Sequence, residues 1–364
     1  MSRRTVLVAG ASGLIGTAAT EAFADAGWDV IAVARRRPEI AESPRIRHMS
    51  VDLMDPAVSA AAFAQMPDVS HIVYAASYER ASLVSGWSDP EQMATNLAML
   101  TNVVEPFAAR GTLEHVTLMQ GTKAYGVHLH AIPVPARERY ARDDHQNFYW
   151  LQEDYIKSVA ERTDVEWTIL RPVHVVGPAY GVAYSTPPII GAFAALCHEA
   201  GEPFGFPGGP FQVVKQVVDV RLLARATVWA ATEPRARGEH FNVTNGEVFT
   251  WRDIWPVLAD ALSLPCAEIE PVSMAQLLPS RAEEWQAITE RHALRALTID
   301  DLIGSSHMYA DYTFGYGFPG VPPPALVSTI KIKQAGFTET MDTEQTFRDA
   351  FRVLVERRVL PDYR

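Results

Sequence analysis

The stretch Thr5-Val-Leu-Val-Ala-Gly10-Ala-Ser-Gly13-Leu-Ile-Gly16 decides the fold. Its first five residues form a continuous apolar, β-branched run, which is typical of a parallel strand buried on both faces. An alanine-rich helical pattern follows from Thr17 to Ala26 and is closed by Gly27, and residues 28–35 supply a second strand. Strand, glycines, helix and strand within about 30 residues indicate a dinucleotide-binding unit.

Each of the three glycines has a physical task in such a unit. Gly10 permits a tight turn, Gly13 lets the backbone approach a pyrophosphate, and Gly16 lets the helix pack closely on the strand. The free N–H groups at the helix start then bind phosphate oxygens. A glycine-rich turn without a ligand is the alternative interpretation.

Length and composition restrict the class of protein. At about 150 residues per domain, 364 residues predict two lobes or one large α/β core with an insertion. A content of 48% hydrophobic and 21% charged residues predicts a folded globule. The net charge of −11 disfavours nucleic acid and anionic membranes as partners. The chain shows no signal peptide and no run of roughly 18 apolar residues, so we expect a cytoplasmic enzyme.

Neither cysteines nor histidines indicate a metal. Cys197 and Cys266 are too few and too isolated for a disulfide framework or a structural zinc site. The histidines lack paired spacing suited to metal ligation, and we expect no metal.

The end of the second strand bears on the choice of cofactor. It reads Ala34-Arg35-Arg36-Arg37, without the Asp or Glu that usually holds the ribose hydroxyls of NAD. Guanidinium groups bind a 2′-phosphate bidentately, whereas a carboxylate would repel it. We therefore expect NADPH, bound by Arg35 and Arg36, with a solvated basic turn as the alternative.

The Gly-x-x-Gly-x-x-Gly spacing resembles the extended short-chain dehydrogenase/reductase superfamily, whose members typically carry a Tyr-x-x-x-Lys pair and a Ser. No lysine of this chain has a tyrosine four residues before it, as Glu153 before Lys157 illustrates. The catalytic groups are therefore either lost or arranged differently.

Three further segments favour a different arrangement. They are Gln120-Gly-Thr-Lys123-Ala-Tyr125, Asn147-Phe-Tyr149-Trp-Leu-Gln-Glu-Asp154 and Asn242-Val-Thr-Asn-Gly-Glu-Val-Phe-Thr-Trp251. Together with the C-terminal residues 328–348, they resemble the progesterone 5β-reductase/iridoid synthase-like enone reductases over nearly the whole chain. Trp150 stands where these enzymes usually have a second tyrosine, residues 77–80 lack a tryptophan common in plant members, and residues 281–318 match only loosely.

The resemblance implies that Tyr149 and Lys123 are the catalytic residues. Tyr149 would donate a hydrogen bond to the enolate oxygen that develops during reduction, and Lys123 would hold positive charge beside the phenol or the nicotinamide ribose. A packed core aromatic and a surface lysine are the alternatives for the two residues.

The remaining site residues rest on the glycine pattern, the arginines and the resemblance. The expected cofactor contacts are Gly10, Ser12, Gly13, Leu14, Ile15, Gly16, Arg35, Arg36, Asp52, Leu53, Ala75, Ala76, Gln120, Val173 and Val176. Tyr125, Phe314 and Phe318 are candidates for a substrate pocket, although crowded aromatic residues form plain core as often.

The expected fold is α/β: a Rossmann-type doubly wound parallel sheet with a smaller, mainly helical C-terminal substrate lobe. Residues 1–176 would form the NADP-binding domain, with 213–250 returning to it, and residues 177–212 and 251–364 the substrate lobe.

The function implied is NADPH-dependent 1,4-reduction of an apolar small-molecule enone or enal. There are two alternatives: NADPH-dependent reduction of a carbonyl group in the same site, and a non-catalytic NADP-binding regulator. A homodimer is one candidate for the assembly. A sugar-nucleotide epimerase is disfavoured because it needs Tyr-x-x-x-Lys.

Overall fold

The computed structural model describes residues 4–80 and 86–363. The strands are β1 (Thr5–Ala9), β2 (Asp29–Val33), β3 (Ile46–Met49), β4 (His71–Tyr74), β5 (His115–Met119), β6 (Glu166–Pro172), β7 (His174–Val176), β8 (Val217–Asp219) and β9 (Glu239–Val243). Seven of them form one parallel sheet in the order β3-β2-β1-β4-β5-β6-β9, and β7 pairs with β8 separately. The predicted α/β fold with a parallel sheet is confirmed.

The central strand β1 shows why the sheet is covered on both faces. Val6 and Val8 belong to a core cluster that includes Phe23 of the first helix. Leu7 and Ala9, whose side chains alternate to the opposite face, belong to a second cluster. A strand buried on both faces reads as a continuous apolar run, as residues 5–9 do.

The helices contacting this sheet or continuing from it are α1 (Leu14–Asp25), α2 (Pro56–Ala64), α3 (Pro90–Ala108), α4 (Phe148–Arg162), α6 (Val220–Thr232) and α12 (Ile330–Gln334). Phe63, Val103 and Ile156 place α2, α3 and α4 on the cluster of Leu7, whereas Ala231 places α6 on the cluster of Val6. This two-sided cover is the predicted doubly wound arrangement.

The remaining helices build a separate core. They are α5 (Pro187–Ala200), α7 (Trp251–Ala261), α8 (Met274–Ser280), α9 (Ala282–Arg291), α10 (Ile299–Ile303), α11 (Ser306–Phe314) and α13 (Thr343–Glu356). Trp251, Trp255, Phe206 and Phe314 stack at its centre with ring centroids 5.0–6.4 Å apart.

The chain divides into two compact units. One comprises the described residues of Met1–Val173, Val220–Val243 and Val327–Glu339, and the other those of His174–Asp219, Thr244–Leu326 and Thr340–Arg364. The division of labour between a cofactor lobe and a substrate lobe stays a prediction. Among the helices of the described ranges, none has the length and apolar character needed to cross a bilayer.

Candidate active site

The turn after β1 is built from glycines that tolerate no side chain. Gly10 has φ +82°, and a Cβ there would stand 2.7 Å from the backbone N of Ala76. A Cβ on Gly16 would stand 2.1 Å from the carbonyl O of Gly10. The close approach of strand end, turn and helix therefore requires glycine at both positions.

The first turn of α1 offers backbone donors. The helix begins directly after Gly13, and among the described residues no side chain caps it. Gly13 N donates to Gly10 O at 2.9 Å, which closes the turn. Ser12, Leu14 and Ile15 are partly exposed there. An uncapped helix N-terminus beside a tight backbone turn can bind an anionic diphosphate.

The strand ends beside this turn carry the other expected cofactor contacts. Arg35 and Arg36 are exposed directly after β2, and Asp52 is exposed after β3. Ala75 and Ala76, after β4, are partly exposed. The side chain of Leu53 is buried in the core, so only its backbone is left for a cofactor contact.

Tyr149 reaches the carboxyl end of β5 from α4. Asn147 caps this helix, since its Oδ1 accepts a hydrogen bond from Tyr149 N at 3.0 Å. The Tyr149 hydroxyl lies 3.3 Å from the point where a Cβ on Gly121 would stand. A larger residue at position 121 would therefore crowd the phenol.

Lys123 lies two residues beyond Gly121, in the 3₁₀ turn Thr122–Tyr125 that follows β5. Its Nζ stands 3.3 Å from the centroid of the Trp87 ring, a cation–π contact. Burial lowers the pKa of Lys123 to about 7, against the opposing effect of Glu79. The ammonium is therefore in balance with the neutral amine near neutral pH.

The carboxylate of Glu79 acts on both predicted catalytic residues. Burial, and then Glu79, raise the pKa of Tyr149 above its ordinary value, so the phenol keeps its proton. The structure thus brings Tyr149 and Lys123 to one strand end, within the electrostatic reach of the same acid. Sequence reasoning missed Glu79 and Trp87, although Glu79 follows β4 at the edge where a parallel sheet gathers its functional groups.

Glu153 occupies the helix position where a typical member of the superfamily has its lysine. It is 5% exposed, and its carboxylate lies 2.7 Å from Lys157 Nζ and 3.5 Å from Arg171 Nη2. Burial alone would raise the pKa of Glu153, but hydrogen bonds from His240, Lys157 and Gln120 hold it well below its usual range. The position is therefore filled by a permanently charged, paired carboxylate.

Gln120 and Tyr125 take part in the same buried polar network. Gln120 Nε2 donates to Glu153 Oε2 at 3.0 Å, and its Oε1 accepts from Arg171 Nε at 2.8 Å. The Tyr125 hydroxyl donates to Asn242 Oδ1 at 2.8 Å. The nitrogen and the oxygen of the Gln120 amide therefore each form a hydrogen bond within the protein. The cofactor contact of Gln120 and the pocket role of Tyr125 stay predictions.

Two predicted cofactor contacts, Val173 and Val176, and two predicted pocket residues, Phe314 and Phe318, take no part in the polar network around Glu153. Val173 is 7% exposed in the first unit, and Val176 is fully buried in the core of the second. Phe314 is 2% exposed and packs edge-on within the aromatic core, whereas Phe318 is 37% exposed and contacts Tyr312 at 6.0 Å between ring centroids. Core packing accounts for Phe314, and the pocket roles of both phenylalanines stay predictions.

Comparison with known proteins gives the family. Residues 6–244 match the NAD dependent epimerase/dehydratase family, which is more than half of the chain. The chain belongs to this family.

Similar proteins of known activity indicate to which group within the family this epimerase/dehydratase-family protein belongs. It is 30% identical over 318 residues to (S)-8-oxocitronellyl enol synthase of Nepeta racemosa, covering 81% of this chain and 79% of that protein. It is 27% identical over 319 residues to the 3-oxo-Delta(4,5)-steroid 5-beta-reductase of Arabidopsis thaliana, with the same coverage. The predicted membership of the progesterone 5β-reductase/iridoid synthase-like group is confirmed.

Solved structures agree at the level of the fold. The UDP-glucose 4-epimerase of Thermus thermophilus, solved with NAD, has a TM-score of 0.67 at 19% identity and covers 96% of this chain and 99% of its own. The enzyme WbmH of Bordetella bronchiseptica, solved with NAD⁺, has a TM-score of 0.64 at 17% identity and covers 97% and 99%. The epimerase/dehydratase-family chain therefore has the fold of NAD(P)-dependent enzymes.

Proposed function

We propose that this protein is an NADPH-dependent reductase that adds hydride to the C=C bond of an α,β-unsaturated carbonyl compound. One observation carries the proposal: the Tyr149 hydroxyl lies against Gly121 at the end of β5, the strand end that also bears Lys123. The name of the Arabidopsis relative describes reduction of a 3-oxo-Δ4,5-steroid, which is an enone, and supports the same reaction class.

The residues around the β1 turn fit a dinucleotide. The glycine turn and the uncapped start of α1 would hold the pyrophosphate, because Gly13 at the helix start has no side chain and, within the described ranges, the first amides of α1 have no side-chain acceptor. Arg35 and Arg36, both exposed at the end of β2, would pair with a 2′-phosphate. When bound, NADPH supplies the hydride.

Tyr149 provides the hydrogen bond that the substrate oxygen needs. The carbonyl oxygen gains negative charge as the β-carbon receives hydride, and a positioned phenol stabilises that charge without having to reorganise. Since burial raises the pKa of Tyr149, the phenol remains a donor throughout the neutral range. The carbonyl returns when the α-carbon takes a proton, so the product is a saturated ketone or aldehyde.

Lys123 adds positive charge beside this donor. Its side chain is held on the Trp87 ring and faces the field of Glu79. An ammonium near the developing oxyanion lowers the barrier, whereas the neutral amine does so much less. The lysine role has thus moved from α4, where Glu153 stands, to the end of β5.

This displacement favours the β-carbon over the carbonyl carbon. Hydride transfer requires a reacting distance of about 3–3.5 Å, so a shift of a few ångströms in the oxygen's anchor selects which carbon reacts. In an enone the β-carbon lies two bonds farther from the oxygen than the carbonyl carbon.

The cofactor preference is testable with the two arginines. Changing both Arg35 and Arg36 to Ala should raise the KM for NADPH at least tenfold and leave the KM for NADH within about twofold, because only NADPH carries the 2′-phosphate. Arg162→Ala serves as a control, since Arg162 is exposed but pairs with Glu105. Equal effects on both cofactors would show that the arginines do not bind the phosphate.

The charge of Lys123 predicts a pH dependence. Because its pKa is lowered to about 7, the charged form is lost as pH rises through 7, and kcat should fall there. Lys123→Arg should keep its charge and flatten this fall, while Lys123→Met should lower kcat most below pH 7, where the wild-type lysine is charged, and less above it. The control is Lys333→Met. A wild-type profile that rises from pH 6 to pH 8, or an unchanged profile in the arginine variant, would contradict the role of Lys123.

The donor role of Tyr149 predicts a loss in kcat without a loss in cofactor binding. Tyr149→Phe should lower kcat for an enone by more than tenfold, or about 1.4 kcal/mol, because it removes a hydrogen bond made in the transition state. NADPH affinity, followed by cofactor fluorescence, should stay near wild type. Tyr155→Phe on the same helix, whose hydroxyl bonds to Glu105, is the matched control. A smaller loss in kcat excludes Tyr149 as the main donor.

A further inference from the structure

Asp143 and His145 form a histidine–carboxylate pair in the segment between the Lys123 turn and the start of α4, and His130 contacts the same carboxylate. His145 Nδ1 lies 2.7 Å from Asp143 Oδ1, and His130 Nε2 lies 2.9 Å from Asp143 Oδ2. Gly126, with φ +74°, leaves room for these contacts, since a Cβ there would stand 2.5 Å from His130 Nε2. The His145 side chain is only 7% exposed.

This pair determines where the His145 ring carries its proton. Burial would raise the pKa of Asp143, but hydrogen bonds from His145 and His130 lower it below its usual range, so Asp143 is a carboxylate that only accepts. The hydrogen at Nδ1 is therefore donated to Asp143. In the neutral ring, Nε2 is then left as an acceptor.

The acceptor at Nε2 faces the cap of α4. Asn147 Nδ2 lies 3.2 Å from His145 Nε2 and donates to it. The amide oxygen of Asn147 is thereby turned towards the helix, where it accepts from Tyr149 N at 3.0 Å. If the His145 proton stood on Nε2, two donors would face each other, and Asn147 could satisfy the ring only by turning its NH₂ towards Tyr149 N.

A chain of ring contacts also connects His145 with Lys123. Its ring lies 5.3 Å from the His128 ring, which in turn lies 5.3 Å edge-on from the Trp87 ring that holds Lys123 Nζ. The His145 ring therefore contacts the cap of α4 directly and the Trp87 ring only through His128. Neither contact is with a reacting atom, which makes the histidine a positioning residue.

We propose that Asp143 and His145 position Tyr149 by fixing the orientation of Asn147, and that they do so by holding the imidazole proton on Nδ1. The inference rests on the proposed catalytic role of Tyr149. It assigns to residues 143–147 a specific task in catalysis beyond closing the loop before α4.

The test pairs a disruptive variant with one that should restore the cap. In Asp143→Ala the proton is free to move to Nε2, the cap is lost, and kcat for the enone should fall at least tenfold while NADPH affinity is kept. In the double variant Asp143→Ala/Asn147→Asp, a carboxylate accepts from both Nε2 and Tyr149 N, so kcat should recover at least threefold over the single variant. Asp144→Ala, an exposed neighbouring carboxylate, is the matched control.

Nuclear magnetic resonance tests the position of the His145 proton and the state of the helix cap independently of enzymatic activity. The ¹⁵N shifts of the His145 ring should place the proton on Nδ1 in the wild type and on Nε2 in Asp143→Ala, and the Tyr149 amide signal should move in the single variant and return in the double. A wild-type proton on Nε2, or a double variant no more active than Asp143→Ala at equal Tm, overturns the proposal. Failure of the wild type to reduce any enone would instead defeat the proposed function.

Discussion

A buried carboxylate on α4, Glu153, ties the helix that carries Tyr149 to three neighbouring strands of the sheet. Glu153 lies within 3.5 Å of Gln120 after β5, Arg171 on β6 and His240 on β9. Removing such a charge from water costs several kcal/mol unless partners repay it, and truncating one partner typically costs 3–5 kcal/mol. Because losing any one of these partners is costly, the positions of the helix and the three strands relative to one another are closely fixed. This network holds α4, and with it Tyr149, at a fixed distance from β5, and in the proposed function that distance selects the substrate atom that the Tyr149 hydroxyl reaches.

The same network explains why the lysine of the superfamily cannot occupy its usual place. A lysine at position 153 would stand against Arg171 and Lys157 with no carboxylate between them. In the function we propose, the positive charge is supplied instead from the end of β5, where the Lys123 ammonium lies on the Trp87 ring and within the electrostatic reach of Glu79. The proposed site thus keeps a phenol and an ammonium, but the ammonium would act from a different direction.

Much of this arrangement could be predicted from the sequence where the signal is local. The glycine turn, α1 and the start of α4 at Asn147 follow from patterns within a few residues, and the family resemblance selected Tyr149 and Lys123. Glu79, Trp87 and Arg171 were missed because their roles depend on contacts between residues far apart in the chain. Phe314 illustrates the converse, since an aromatic run does not reveal whether its rings line a pocket or stack in a core.

The carbon that receives the hydride distinguishes alkene reduction from carbonyl reduction. With deuterium at the transferable position of NADPH and a cyclic enone as substrate, mass spectrometry and ²H nuclear magnetic resonance of the product locate the label. The arrangement of Tyr149 and Lys123 predicts deuterium on the β-carbon of a saturated ketone. Deuterium on the carbinol carbon of an allylic alcohol would contradict it and identify the protein as a carbonyl reductase.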